Sequence, residues 1–463
     1  MIDQYIKINI KIIALVTLFL AFGVISGINL SIALFLSFLF FYVKLRNLDT
    51  RNCNLLNLSL LFLIAFTASY FILKQRIAIY YIPFSIVPML ATLLFGSLEI
   101  TLIIVLAISV SIASVSNFPL PVMLLFLISG VLASILVKDA RKRNTIIRAG
   151  LLIGVIQVVT LILIERFWIG QPDRYLVLFL NGLISSIIVL GVLPVFEYLF
   201  NTVTNISLLE LADFNHPLLA RLIQEAPGTY HHSLIVGNLS EGAARAVGAN
   251  ALLARIGAYY HDIGKLQKPE YFSENQFTES SKHDALAPTM SKLVIMNHVK
   301  EGSELARKYN LNPRLIDFIE QHHGNSLVYY FYRRALENLE EDHDVVEEGF
   351  RYAGPKPDSK ETAIVLLADS VEAAGRALND PHPEKIKELV HKIINNKFID
   401  GQLDECDLTL KDLEKISAVF IRLLCGIYHS RKSYPESDSS ENNHKKSSKE
   451  DSYLSAKDKK INS

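Results

Sequence analysis

The chain has 463 residues with 46 basic and 46 acidic side chains, so its formal charge is zero, and 51% of it is hydrophobic. That balance averages two unlike parts: residues 1–200 hold 14 basic and 7 acidic residues, and the remainder holds 32 and 39. The acidic remainder argues against a nucleic-acid partner, which calls for a basic face. Cys53, Cys406 and Cys425 form no CxxC pair, which excludes a zinc ribbon.

Apolar runs near 20 residues long are the length of a bilayer span. They predict eight spans, at about 8–27, 29–45, 54–73, 79–96, 98–116, 119–137, 147–166 and 175–200. The second is short and nearly touches the first, so seven is the fallback count. A cleaved signal peptide is not expected, because the apolar pattern runs on through span after span. Loops rich in Lys and Arg stay in the cytoplasm. Lys44, Arg46 and Arg51 form one such loop and Lys138, Arg141, Lys142, Arg143 and Arg148 another, whereas Asn117 to Pro121 carries no charge. Eight spans then put both termini in the cytoplasm, although the Lys74/Arg76 loop falls outside against the trend.

Residues 201–226 read as an amphipathic connector, with Leu208, Leu209, Leu211, Leu218, Leu219 and Leu222 at helical spacing and Pro217 interrupting them. From 227 to about 430 the periodicity is helical nearly throughout, which predicts an all-α domain of ordinary size. Residues 431–463 are too polar to repay ordering and are expected to form a disordered tail. No repeat at solenoid spacing is present. The expected fold class is therefore all-α, a polytopic helical membrane region followed by a cytoplasmic helical domain.

All thirteen histidines follow residue 215, and metal-type side chains recur there in order: His232, His261-Asp262, His298, His322-His323 and Asp369. Imidazole and carboxylate suit Fe, Mn, Zn and similar divalent ions, and a carboxylate can bridge two of them. On a helix His231 and His232 point about 100° apart, and His231 is expected to lie behind the ligands or to be structural. His322 and His323 can both serve only at a helix end, which Gly324 permits. His283, His343, His382, His391 and His429 are expected at the surface.

The segments GTYHHSLIVGNL (228–239), AYYHDIGKLQKPEYF (258–272), IMNHV (295–299), QHHG (321–324), FRYAGPKPDSKETA (350–363) and LLADSVEAAGRAL (366–378) together resemble the HD-domain hydrolases. More narrowly, they are similar to the membrane-anchored seven-transmembrane HD phosphodiesterases, the PgpH-like proteins that open cyclic di-AMP. The resemblance implies one metal ion held by His232, His261, Asp262 and Asp369, and a second by Asp262, His298, His322 and His323, with Asp262 as the bridge. It also implies a reaction centre of Asp262, His261 and Lys265, with Lys265 meeting a phosphate oxygen as a point charge. Gly354 to Pro357, a rigid turn by composition, would shape the substrate pocket.

The chemistry needs such residues, because an anionic phosphodiester repels hydroxide and its hydrolysis needs cations that neutralise it and generate a nucleophile at neutral pH. The expected cofactors are two divalent transition-metal ions, Fe or Mn, and the expected partners are a cyclic dinucleotide and the lipid bilayer. Self-association into a homo-oligomer is left open. Two features depart from the family: Ile28 to Ser31 leave no room for its large extracellular domain, and Ala353 stands where relatives tend to have proline. Two other readings stay open: an HD phosphohydrolase for another nucleotide (cyclic di-GMP, a guanosine polyphosphate or a nucleoside monophosphate), and a nucleotide-binding membrane sensor without catalysis.

Overall fold

Backbone N–H and C=O groups inside a bilayer find no water, so a spanning segment must satisfy them itself or against its neighbours. The structure, a computed structural model, describes residues 55–116, 119–165, 172–276, 281–337, 346–378 and 381–428. The first two expected spans and the expected tail lie outside those residues. Helices α1 (Leu55–Lys74), α2 (Ile86–Phe95), α3 (Leu98–Val115), α4 (Pro119–Val137), α5 (Arg143–Ile164) and α6 (Pro172–Phe200) form the amino-terminal bundle. Five of them, all but α2, are long and apolar enough to cross a membrane. At 1.5 Å per residue even the 18-residue α3 reaches about 27 Å.

The expected span at 79–96 is not one helix. It consists of a 3₁₀ turn at Ile79–Tyr81, an extended stretch through Pro83, and the ten-residue α2. Proline lacks an N–H and biases the residue before it away from helix, which breaks the segment. Ten helical residues cover only about 15 Å. The carbonyls of Tyr80 and Ile82 are met instead by Asn181 Nδ2 on α6, at 3.0 and 2.9 Å. Gln157 Nε2 on α5 donates to Ser85 Oγ at 3.2 Å. The segment nevertheless returns the chain to the side from which α1 starts: the rings of Phe95 and Phe200 lie 6.1 Å apart, and Asn57 Nδ2 donates to the Phe200 carbonyl at 3.2 Å.

The carboxyl-terminal region is also helical: α7 (Asn205–Leu211), α8 (Pro217–Glu225), α9 (Pro227–Ala246), α10 (Ala251–Tyr260), α11 (Pro288–Lys308), α12 (Pro313–Gln321), α13 (Tyr329–Glu337), α14 (Lys360–Arg376), α15 (Pro383–Ile399) and α16 (Leu410–Ile427). Among the described residues there is no β-strand, only an isolated bridge between Leu327 and Arg351. Its core gathers Val236, Ala254, Phe318, Leu366 and Phe420 with Leu208, Leu218, Leu219 and Leu222. The stretch expected as a connector is thus built into this core, with Leu209 left at the surface. Ile206, one turn earlier on α7, belongs to the membrane-side core.

Polar groups fasten the junction. Buried Glu197, near the end of α6, accepts from Thr204 N and Ser207 Oγ, both at 2.8 Å. Asn312 Nδ2 donates to the Thr202 carbonyl at 2.9 Å while its Oδ1 caps α12 through Arg314 N. Arg143, the first residue of α5 and part of the basic stretch 138–148, pairs with Glu210 of α7 at 2.6 Å.

Small residues let α5 and α6 meet at backbone distance, the usual way helices associate in lipid. A Cβ on Gly154 would stand 2.3 Å from the Phe179 carbonyl oxygen, whereas one on Gly191 would meet nothing within 4 Å. Gly154→Leu is therefore expected to destabilise the detergent-solubilised protein by about 1–3 kcal/mol through overpacking. Gly191→Leu should leave the thermal midpoint nearly unchanged, and equal midpoints for the two variants would refute this packing.

Candidate metal centre

Four separate chain segments converge on Asp262. α9 begins at Pro227, and on its second turn His232 faces inward and is buried while His231 faces out. α10 ends at Tyr260, so His261 and Asp262 sit where the helix tightens into the 3₁₀ turn Ile263–Gln267 that carries Lys265. That turn lies against α11, and a Cβ on Gly264 would fall 1.8 Å from the His298 carbonyl oxygen. Only glycine permits the approach that sets Asp262 beside His298. α12 ends at Gln321, His322 is its C-cap, and Gly324 adopts φ +55°, so both His322 and His323 turn inward at a helix end. Asp369 comes from α14, whose start is fixed by a capping box between Ser359 and Thr362.

The two oxygens of Asp262 face different partners. Oδ2 lies 3.2 Å from His261 Nε2 and 3.6 Å from His232 Nε2, and Oδ1 lies 3.4 Å from His298 Nε2 and 3.6 Å from His322 Nε2. Asp369 Oδ1 is 3.0 Å from His232 Nε2, and its Oδ2 is 3.6 Å from His323 Nδ1. The donor atoms of His232, His261 and Asp369 lie within 4.8 Å of one another, and so do those of His298, His322 and His323 and those of His261, Asp262 and His322.

This donor set fits metal ions. His232 Nε2, His261 Nε2 and both oxygens of Asp262 are buried and make no hydrogen bonds of proper geometry among the described residues. Buried polar atoms are normally satisfied, so such a group calls for a ligand. The rings already have their other nitrogens engaged: His261 Nδ1–H donates to the Ala258 carbonyl (2.6 Å), His298 to Ile295 (2.5 Å) and His322 to Ile319 (2.9 Å). Their Nε2 lone pairs are thereby aimed inward. His298 and His322 Nε2 stand only 3.1 Å apart, and a cation reconciles two such lone pairs.

Electrostatics divides the histidines. Burial and the neighbouring His261 charge push His322 down to about 3, and burial lowers His298 and His323 as well. Burial also opposes charge on His261, but Asp262 and Asp369 outweigh it and raise the ring to about 10. His232 is raised despite its burial, by Asp369 and Glu372. Burial disfavours both carboxylates, yet these cations, with Lys265 for Asp262, hold them well below the usual range. A metal ion held by His261 would take the place of that ring's proton.

Lys265 is neither solvated nor free. Its Nζ lies 2.8 Å from Asp262 Oδ2 and 2.6 Å from Glu274 Oε1. A phosphate oxygen would have to share it with Asp262. Against burial, Lys265 lowers Glu274 to about 2, so Glu274 stays ionised. Glu274 and Glu372 had not been anticipated. Glu372 accepts from His232 Nδ1, and its place three residues after Asp369, on the same helix face, was the available signal. Nothing in PEYFSEN marks Glu274. Tyr352, stacked on His323 with ring centroids 4.3 Å apart, was likewise unmarked. Of the histidines expected at the surface, His391 is exposed and His343 and His429 lie outside the described residues. His283 is buried instead, because Nε2 donates to the Tyr271 carbonyl and its ring packs on Tyr271 and Phe331. A cavity of about 450 Å³ opens beside His323 and Tyr352 and is also lined by Met296, Gly354 and Pro355.

Comparison with known proteins agrees with this architecture. The family described as 7TM receptor with intracellular HD hydrolase matches residues 11–204, and the HD domain family matches residues 229–374. HD domains are metal-dependent hydrolases. The chain is 39% identical over 454 residues to the cyclic-di-AMP phosphodiesterase PgpH of Bacillus subtilis (strain 168), covering 94% of this chain and 63% of that protein. It is 42% identical over 316 residues to PgpH of Listeria monocytogenes serotype 1/2a (strain 10403S), covering 67% and 44%. The crystal structure of the L. monocytogenes PgpH HD domain in complex with cyclic-di-AMP is 46% identical, covering 47% of this chain and 100% of that chain with a TM-score of 0.45. The chain thus spans less than two thirds of the length of these curated relatives. With both matched regions present in order and identity maintained across most of the chain, it belongs to the PgpH-like seven-transmembrane HD hydrolases.

Proposed function

We propose that the protein is a membrane-bound, metal-dependent phosphodiesterase that hydrolyses cyclic di-AMP to the linear dinucleotide pApA and so controls the level of a second messenger. The observation that carries this reading is the placement of Asp262, with Oδ2 toward His232 and His261 and Oδ1 toward His298 and His322. That disposition suits a carboxylate bridging two ions, Fe or Mn. His232, His261, Asp262 and Asp369 would hold one, and Asp262, His298, His322 and His323 the other. Divalent ions held there neutralise an anionic diester and supply a nucleophile at neutral pH.

The protein's own groups do the rest. Asp262, kept ionised by His261 and Lys265, fixes the spacing of the two histidine groups. Glu274 holds Lys265 at the edge of the centre, where its ammonium reaches a phosphate oxygen if the contact with Asp262 loosens. The cavity beside His323 is within the usual size range for small-molecule sites and has Tyr352 in its wall. The cyclic-di-AMP phosphodiesterases to which the chain is 39% and 42% identical support the substrate class. Arg143, from the basic loop, meets Glu210 on the side of the metal centre, and basic loops stay in the cytoplasm, which supports a cytoplasmic catalytic region at the cell membrane.

Metal analysis of the full-length protein, purified without chelator and loaded anaerobically, should return about two ions per chain. Less than one ion would refute the two-metal reading. Asp262→Ala should cut hydrolysis by at least roughly a hundredfold, since it removes the shared ligand, whereas His231→Ala, an exposed position, should stay within about threefold of the parent. The solubilised protein should convert cyclic di-AMP to its linear form and stop when EDTA is added. Rapid opening of cyclic di-GMP with cyclic di-AMP left intact would overturn the substrate assignment.

A further inference from the structure

Glu372 makes the two halves of the centre unlike. It lies three residues after Asp369 on α14, which puts both carboxylates on one helix face. The residue is 2% exposed and accepts a hydrogen bond from His232 Nδ1. The corresponding nitrogens of His261, His298 and His322 donate to uncharged backbone carbonyls. A carbonyl orients an imidazole; a carboxylate orients it and also makes it a stronger electron donor.

Charge follows the same division. The His232 side gathers Asp262 Oδ2, Asp369 Oδ1 and, behind the ring, Glu372. The other side has Asp262 Oδ1 and three imidazoles, with Asp369 Oδ2 at 3.6 Å from the His323 ring. The Lys265 cation near Asp262 Oδ2 is matched by Glu274 and does not cancel the difference.

We infer that Glu372 is a positioning residue that makes the His232 side the tighter of two metal sites, so that this side fills first and the His298–His322–His323 side is the exchangeable one. The inference rests on the two-metal reading given above. Divalent ions favour the half with more carboxylate charge and with the ring already locked in the donating tautomer.

Metal-stripped full-length protein in detergent can be titrated anaerobically with Mn²⁺, the free ion being counted by its electron paramagnetic resonance signal. The parent should show two resolved steps. Glu372→Ala should weaken the tight step by about tenfold to a hundredfold and leave the weak step in place. Glu372→Gln, which keeps a hydrogen-bond acceptor without the charge, should place the tight step between parent and alanine variant. His298→Ala should show the opposite pattern, with the weak step lost and the tight one kept. Asp262→Ala should impair both. If Glu372→Ala titrates like the parent while Asp262→Ala does not, the role of Glu372 is wrong and the metal centre stands. If Asp262→Ala also titrates like the parent, the two-metal reading itself fails. Loss of the tight step in His298→Ala, or a single unresolved step in the parent, would overturn the assigned order even if Glu372→Ala proved too unstable to titrate.

Discussion

A carboxylate withdrawn from water stays ionised only where positive charge surrounds it, and Asp262 imposes that requirement on the whole catalytic region. It is 1% exposed, and histidines from α9, α10, α11 and α12 approach its two oxygens. Each approach fixes a piece of the fold: the end of α10, the glycine contact between the 263–267 turn and α11, and the end of α12 at Gly324. α14 closes the group with Asp369 and, behind it, Glu372. The helices are thus arranged around a charge that they cannot bury without help, which is the physical setting in which divalent ions contribute to both stability and chemistry.

The membrane bundle obeys the complementary rule. There the backbone itself must not be left unpaired, and where Pro83 breaks the fourth segment the side chain of Asn181 takes up the Tyr80 and Ile82 carbonyls. Gly150, Gly154 and Gly182 bring α5 and α6 close enough for the bundle to stay packed around this irregular stretch.

The order of histidines and aspartates was legible because metal donors are few and their types are restrictive, and the structure brings His232, His261, Asp262, His298, His322, His323 and Asp369 together. That His231 and His232 turn different ways followed from helix periodicity, and the choice of His232 as the inward one followed from the family resemblance. The 79–96 segment was legible as an apolar stretch but its break was not, because hydropathy counts apolar residues and is blind to where backbone hydrogen bonds go. His283 was misplaced because a histidine with a carbonyl acceptor and two aromatic neighbours is as easily buried as exposed. Glu274 acquires its partner Lys265 only through tertiary folding, so no local pattern announces it. Glu372 was within reach, one turn from Asp369, but an acidic residue on a helix is ordinarily read as solvated.

Four residues, Asn201 to Thr204, separate the last membrane helix from α7. Two of them are already engaged, Thr202 through its carbonyl with Asn312 and Thr204 through its N–H with Glu197. Asn312 in turn caps the helix that ends at His322, and Tyr260, just before His261, donates to the Leu211 carbonyl at the end of α7. The passage from bilayer to metal centre therefore has no slack. A twist or tilt of α6 has no flexible tether in which to dissipate and arrives, as through a short rigid coupling, at the two helix ends that supply His261, Asp262, His322 and His323.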